Sequence, residues 1–147
     1  MGTGWKFAAL ALLVGAMCGC GDDKAAGPEP AQITGLWNAT KVEYVSRPAG
    51  ESVDLVALGG SGTLTLGESN AFLLVITPFA EIPQTTEGTW ALDGDTLELT
   101  PLGMPFSWQF DVALAGDSLG LSGASVEYDF NDDGTPDQAT LNLSLAR

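Results

Sequence analysis

Between Gly35 and Arg147 the apolar residues fall into stretches of five to ten, rich in Leu, Val, Thr and aromatics, each bounded by Gly, Asp, Asn or Pro. No stretch keeps helical spacing over three turns, so the main element must be the short strand. The candidates are Leu36–Ser46, Ser52–Leu58, Gly62–Leu66, Ala71–Thr77, Glu87–Leu92, Thr96–Thr100, Phe106–Leu114, Ser118–Leu121, Ser125–Phe130 and Ala139–Ala146. Phe106, Trp108, Phe110, Val112 and Leu114 share one face and Ser107, Gln109, Asp111 and Ala113 the other, the pattern of a sheet with one buried side. Val126, Tyr128 and Phe130 alternate in the same way, as do Leu141, Leu143 and Leu145. The connections Gly67-Glu68-Ser69-Asn70, Asp93-Gly94 and Ala115-Gly116 supply residues that tolerate positive φ in tight turns. Strands joined so closely must be antiparallel neighbours.

Eight to ten such strands within residues 33–147 can cover their apolar faces by closing into an up-and-down barrel or by folding into a β-sandwich. Closure has the advantage of removing exposed edges. Four stretches bear on the choice: Ile33-Thr34-Gly35-Leu36-Trp37, Gly88-Thr89-Trp90-Ala91-Leu92-Asp93-Gly94-Asp95-Thr96-Leu97, Leu114-Ala115-Gly116-Asp117-Ser118-Leu119 and Leu145-Ala146-Arg147. Together they resemble bacterial lipocalin-like domain proteins over most of residues 33–147. The resemblance implies an all-β, antiparallel, lipocalin-like barrel, with the sandwich as the alternative. It further implies that Gly35, Trp37 and Arg147 pack at the closed barrel base, the Arg lying over the indole face in a cation–π contact of about 0.5–2 kcal/mol.

The first two dozen residues have a different character. Lys6 is followed by Phe7 through Met17 without a polar side chain, and then by Cys18-Gly19-Cys20-Gly21-Asp22-Asp23. A bilayer span needs about 20 apolar residues, so this stretch is too short for one and suits a signal-peptide hydrophobic region. The small residue before Cys20 resembles a bacterial lipoprotein signal, which implies cleavage after residue 19 and a lipid on Cys20. An ordinary secretory signal cut near Gly19 is the other reading. Cysteine usage argues against it, because the chain has two Cys, both here, and an exported domain normally spends its Cys on disulfides. Residues 20–32 then read as the lipidated Cys and a flexible tether with a reach of about 20 Å. The expectation is an exported protein, lipid-anchored to a bacterial membrane on its periplasmic or cell-surface side, and monomeric.

Charge and residue types exclude several function classes. Beyond residue 19 only Lys24, Lys41, Arg47 and Arg147 oppose 19 acids, a formal charge of −15, which repels phosphate backbones and speaks against nucleic-acid binding. The chain has no His and no Cys beyond residue 20, which removes His-assisted and thiol nucleophiles and nearly all zinc chemistry. Paired carboxylates such as Glu87 with Glu98 remain, but acids on the outer face of a strand are usually solvated surface. The expectation is therefore that the protein is not an enzyme.

Two other groups are candidates for binding. Asp129-Phe130-Asn131-Asp132-Asp133-Gly134-Thr135-Pro136-Asp137 matches D-x-N-x-D-G-x-x-D, in which Asp129, Asn131, Asp133, the Thr135 carbonyl and Asp137 would surround Ca²⁺. Position 12 is Thr140 rather than a bidentate Glu, so the site would be weak; the same residues also suit a plain hairpin turn. Trp90, Phe106, Trp108, Phe110 and Tyr128, with Trp37, either line a cavity for an apolar ligand or fill a solid core, as the interior of an eight-stranded barrel is just wide enough for side chains. Two functions follow: a tethered barrel binding a small apolar molecule or lipid in the cell envelope, or a structural or interaction domain on its surface, Ca²⁺-stabilised and without a cavity.

Overall fold

Alternating side chains and short turns dictate a sheet in which each strand pairs with the next, and this sheet closes on itself. The structure, a computed structural model, describes residues 26–147. The signal segment 1–19, Cys20 and the start of the tether lie outside the described residues. The elements are α1 (Pro30–Ile33), β1 (Gly35–Ser46), β2 (Ser52–Asp54), β3 (Ser61–Leu66), β4 (Ala71–Thr77), β5 (Gln84–Asp93), β6 (Thr96–Pro101), β7 (Trp108–Ala115), β8 (Ser118–Tyr128) and β9 (Asp137–Ala146).

All pairings are antiparallel and run in chain order from β3 to β9. β1 joins the two ends, pairing with β3 along Gly35–Asn38 and with β9 from Asn38 to Ser46. The result is a closed, lipocalin-like barrel of eight strands, which excludes the sandwich. β2 is a ninth, short strand beside the far half of β1. Closure places Trp37, Leu64, Leu66, Leu97, Leu99 and Phe110 in an interior with none of their surface exposed. The closed sheet and its core lie within residues 26–147.

Several elements differ from the sequence reading for identifiable reasons. Ser118–Leu121 and Ser125–Tyr128 are one strand, β8, which ends two residues short of Phe130 and whose register against β9 shifts between Leu121 and Ala124. Leu119 and Leu121 point inward at odd positions; beyond the bulge Ala124, Val126 and Tyr128 do so at even ones. An inserted residue looks like a break in alternation when only sequence is read. β1 carries the same device between Ala39 and Lys41, so that Trp37 and Ala39 face inward below it and Val42 and Tyr44 above it. β2 stops at Asp54, short of Leu58, because the Asp54 carboxylate accepts from the backbone N–H groups of Val42 (3.2 Å) and Val56 (3.0 Å) and turns the chain.

At the other edge of the reading, β7 begins at Trp108, after Pro105, and leaves Phe106 half exposed rather than on the buried face. β5 starts at Gln84, earlier than the polar run Gln84-Thr85-Thr86 suggests, since pairing with Ile76, Val75 and Leu74 holds it. The stretch read as tether ends sooner than expected. Pro30 opens α1, the Glu29 backbone N–H donates to Gln32 Oε1 (2.7 Å), and Ile33 is fully buried. A Cβ on Gly27 would fall 2.0 Å from the Gly94 carbonyl oxygen, so residues from Gly27 onward lie against the β5–β6 turn.

Candidate functional site

The barrel has two unlike ends. At the end where β1 begins, the interior is sealed. Trp37 is fully buried, its indole N–H donates to the Ile33 carbonyl (2.7 Å), and the Arg147 guanidinium lies 4.1 Å from the centroid of its ring. Arg147 also donates to the carbonyls of Gln32 (2.6 Å) and Thr34 (3.2 Å), so it ties α1 over the barrel base. Gly35 opens β1 at φ +127°, a conformation that disfavours any side chain, and a Cβ there would face Arg147 Nη1 at 3.6 Å. Trp90 is buried at the same end, with its indole N–H on the Gly67 carbonyl (3.0 Å). Gly35, Trp37 and Arg147 are thus brought together, and Trp90 is part of the seal rather than of a cavity wall.

The opposite end is open. There a cavity of about 470 Å³ penetrates the barrel, walled on its apolar side by Tyr44, Leu74, Ile76, Trp108, Val126 and Leu141. Its polar side carries Gln84, Thr86, Ser125, Glu127 and Gln138, and Phe106 stands at its edge. Of the aromatics singled out in the sequence, Trp108 and Phe106 line this cavity. Phe110 is fully buried in the core below, and Tyr128 stacks on Tyr44 with ring centroids 4.2 Å apart and 19° between planes. Phe130 meets Tyr128 edge-on at 4.9 Å. The interior is therefore filled in its closed half, while at the other end the cavity reaches down to the buried Leu74, Ile76 and Leu141.

Strand register explains why the cavity reaches past the barrel wall. β7 and β8 pair only from Ala115↔Ser118 to Asp111↔Ser122. Above that level β8 stays on β9 as far as Tyr128↔Asp137, and β7 stays on β6 to Trp108↔Leu99, so the two strands diverge. The divergence begins at Gly123, whose φ of +97° at the bulge turns β8 aside and whose N–H donates to Asn142 Oδ1 (3.1 Å). Ser125, Glu127 and Gln138 alternate onto the outer face, yet they border the same cavity as the inward Val126 and Leu141. They are its solvent-facing, polar lip.

Electrostatics at this end favour neutral phenols. Burial, reinforced by the neighbouring Tyr128 phenol, pushes Tyr44 up to about 12. Burial also raises Tyr128, with Asp132, Glu81 and Asp129 adding to the shift, which places acids of both the β4–β5 and β8–β9 loops around the mouth. Exposed apolar side chains stand in the loops: Leu58 after β2, Phe79 and Ile82 between β4 and β5, and Leu102 and Met104 between β6 and β7.

Asp129–Asp137 form the β8–β9 connection at the same end. The Asp129 carboxylate accepts from the N–H groups of Asn131 (3.3 Å) and Gly134 (2.8 Å), Asn131 Oδ1 from Asp133 N–H (3.3 Å), and Asp133 from Thr135 N–H (2.8 Å). These oxygens cap their own turn. Among the described residues no group of three or more Asp, Glu, His or Cys side chains is placed to hold a metal ion. Glu87 and Glu98 are not paired either: Glu87 lies opposite Leu73 and Glu98 opposite Ala91, about four residues further along the sheet.

Tyr44, Leu74, Ile76, Thr86, Glu127, Gln138 and Leu141 are cavity residues that the sequence did not single out. Parity along β4 and β9 could have found Leu74, Ile76 and Leu141. The shift at Thr40 hides Tyr44, and only the divergence of β7 from β8 admits Glu127 and Gln138. No protein-family model matches the chain, and no curated protein matches it. The functional reading accordingly stands on the fold and on the cavity.

Proposed function

We propose that this protein is a lipocalin-like lipoprotein, held to a bacterial envelope membrane by a lipid on Cys20, which binds a small apolar molecule or lipid in the open end of its barrel. One observation supports the binding reading above all: an open-ended cavity of about 470 Å³ walled by Leu74, Ile76, Trp108, Leu141 and Tyr44. Ligand pockets typically fall between about 300 and 1,000 Å³ and combine an apolar wall with a few polar groups, as here. A purely structural barrel has no reason to leave its upper interior hollow, since unfilled apolar volume costs stability. The absence of His and of any further Cys fits a non-enzymatic binder. Anchoring rests on the short apolar segment before Cys20 and on the restriction of the Cys residues to that segment.

Native mass spectrometry of the intact chain isolated from its own host tests both parts. The expected spectrum shows a diacylglyceryl mass that peptide mapping assigns to Cys20, and a second, dissociable mass on the folded barrel. Repeated isolation with no dissociable mass contradicts the carrier reading, and an unmodified Cys20 contradicts the anchor.

A further inference from the structure

The cavity is not electrically neutral at its lip. Glu127 is the charged side chain that borders it; the other polar groups, Gln84, Thr86, Ser125 and Gln138, are uncharged. Gln138 Nε2 donates to Glu127 Oε1 (3.1 Å) and so orients the carboxylate, whose Oε2 accepts no hydrogen bond among the described residues. Tyr44, Trp108 and Phe106 line the same cavity, and the faces of such rings attract cations. Arg47, on the outer side of the same wall, donates from Nη2 to Ser125 Oγ and from Nε to Thr140 Oγ1 (3.3 Å), and keeps its positive charge beside the lip. The ion pairs among the described residues, Lys41–Glu43 and Arg147–Asp117, leave Glu127 unpaired.

We infer that the cavity selects organic cations: molecules with an apolar body and an ammonium or similar positive head, in preference to the neutral or anionic molecule of the same body. The apolar body lies against Leu74, Ile76 and Leu141, and the head lies at the lip between Glu127 and the aromatic rings. An anionic head such as a carboxylate would meet Glu127 at the lip and the acids of the mouth, Glu81, Asp129 and Asp132, before it reached the cavity. Net charge works in the same direction, as the chain carries −14 overall and draws cations towards it. Tyr44, kept as a neutral phenol by burial, adds no second anion to the wall, and one face of its ring is covered by the stacked Tyr128. This inference rests on the reading of the cavity as a ligand site.

Three probes with one tail and different heads separate the two claims: octylammonium, 1-octanol and octanoate, each titrated into residues 26–147 at neutral pH and low ionic strength by calorimetry. Octylammonium should bind about tenfold more tightly than octanol, with octanoate weakest, as the sum of one exposed carboxylate contact and one cation–π contact. Molar salt should narrow that gap. Glu127→Gln should cost octylammonium about fivefold and leave octanol unchanged, in line with the loss of a single exposed charge contact. Saturable binding of octanol with octylammonium no tighter, or an equal effect of Glu127→Gln on all three probes, overturns the selectivity while the cavity remains a ligand site. Failure of all three to bind saturably overturns the ligand site itself.

Discussion

Tyr44 joins the stability of the barrel to the state of its cavity. Its phenol is held neutral by burial, with a pKa near 12 against an ordinary value of 10. As pH rises through 10 the unfolded chain releases this proton and the folded barrel does not, so the stability that Tyr44 contributes is complete below pH 10 and falls from there to about 12. The whole loss amounts to about 3 kcal/mol, and the raised Tyr128 acts in the same direction. Urea unfolding across this alkaline range should show a shallower decline for Tyr44→Phe than for the natural chain; identical slopes would show that Tyr44 ionises as freely as in the unfolded state. At the sealed end Arg147 does three jobs, over the Trp37 ring and on the Gln32 and Thr34 carbonyls. Arg147→Ala should lower stability by about 2 kcal/mol, and Arg147→Lys should restore only part of it, because an ammonium cannot stack and fork at once. A urea midpoint unchanged by Arg147→Ala would show that the base is held by Trp37 and Ile33 alone.

At the scale of the strand, bulges decide which side chains the cavity receives. Without the shift at Ser122-Gly123, the inward parity set by Leu119 and Leu121 would send Ser125 and Glu127 into the barrel and Val126 and Tyr128 out of it. Gly123→Val forces a β-branched residue to φ +97° and should cost about 2 kcal/mol or more, read as a lower melting temperature; an unchanged melt would mean that the bulge relocates freely. The β8–β9 loop is a self-capped turn, so its melting curve in millimolar Ca²⁺ should match that in chelator. A rise with Ca²⁺ that Asp133→Ala abolishes would instead assign Asp129–Asp137 as an ion site. These elements show what could be read from the sequence. Strict alternation in Phe110–Leu114 and Leu141–Leu145, with Asp93-Gly94 and Ala115-Gly116 as turns, made the strand order legible. Breaks in alternation at Thr40 and Ser122-Gly123 made one strand look like two and hid Tyr44, because a bulge shows its meaning only against its partner strand. Glu127 and Gln138 were not legible at all, since they border the cavity only where β7 leaves β8.

At the scale of the whole molecule, the barrel is polar in its arrangement. Gly27 and α1 lie at the sealed end, while the cavity opens at the other. In the proposed lipoprotein, the seven residue steps from Cys20 to Gly27 reach at most about 25 Å, so the anchor holds the sealed end nearer the membrane than the mouth. The acidic surface, with its formal charge of −14 for the full chain, adds repulsion from anionic headgroups and favours a mouth open to water. A carrier function requires the upper interior to be hollow and accessible. The direct test is titration of residues 26–147 with the apolar fluorophore N-phenyl-1-naphthylamine, alongside the cavity-filling variant Thr86→Trp. Saturable, one-to-one fluorescence enhancement is expected in the natural sequence, and its loss in Thr86→Trp with cooperative unfolding retained; no saturable signal in the natural sequence, or equal binding by Thr86→Trp, would contradict a hollow, accessible interior.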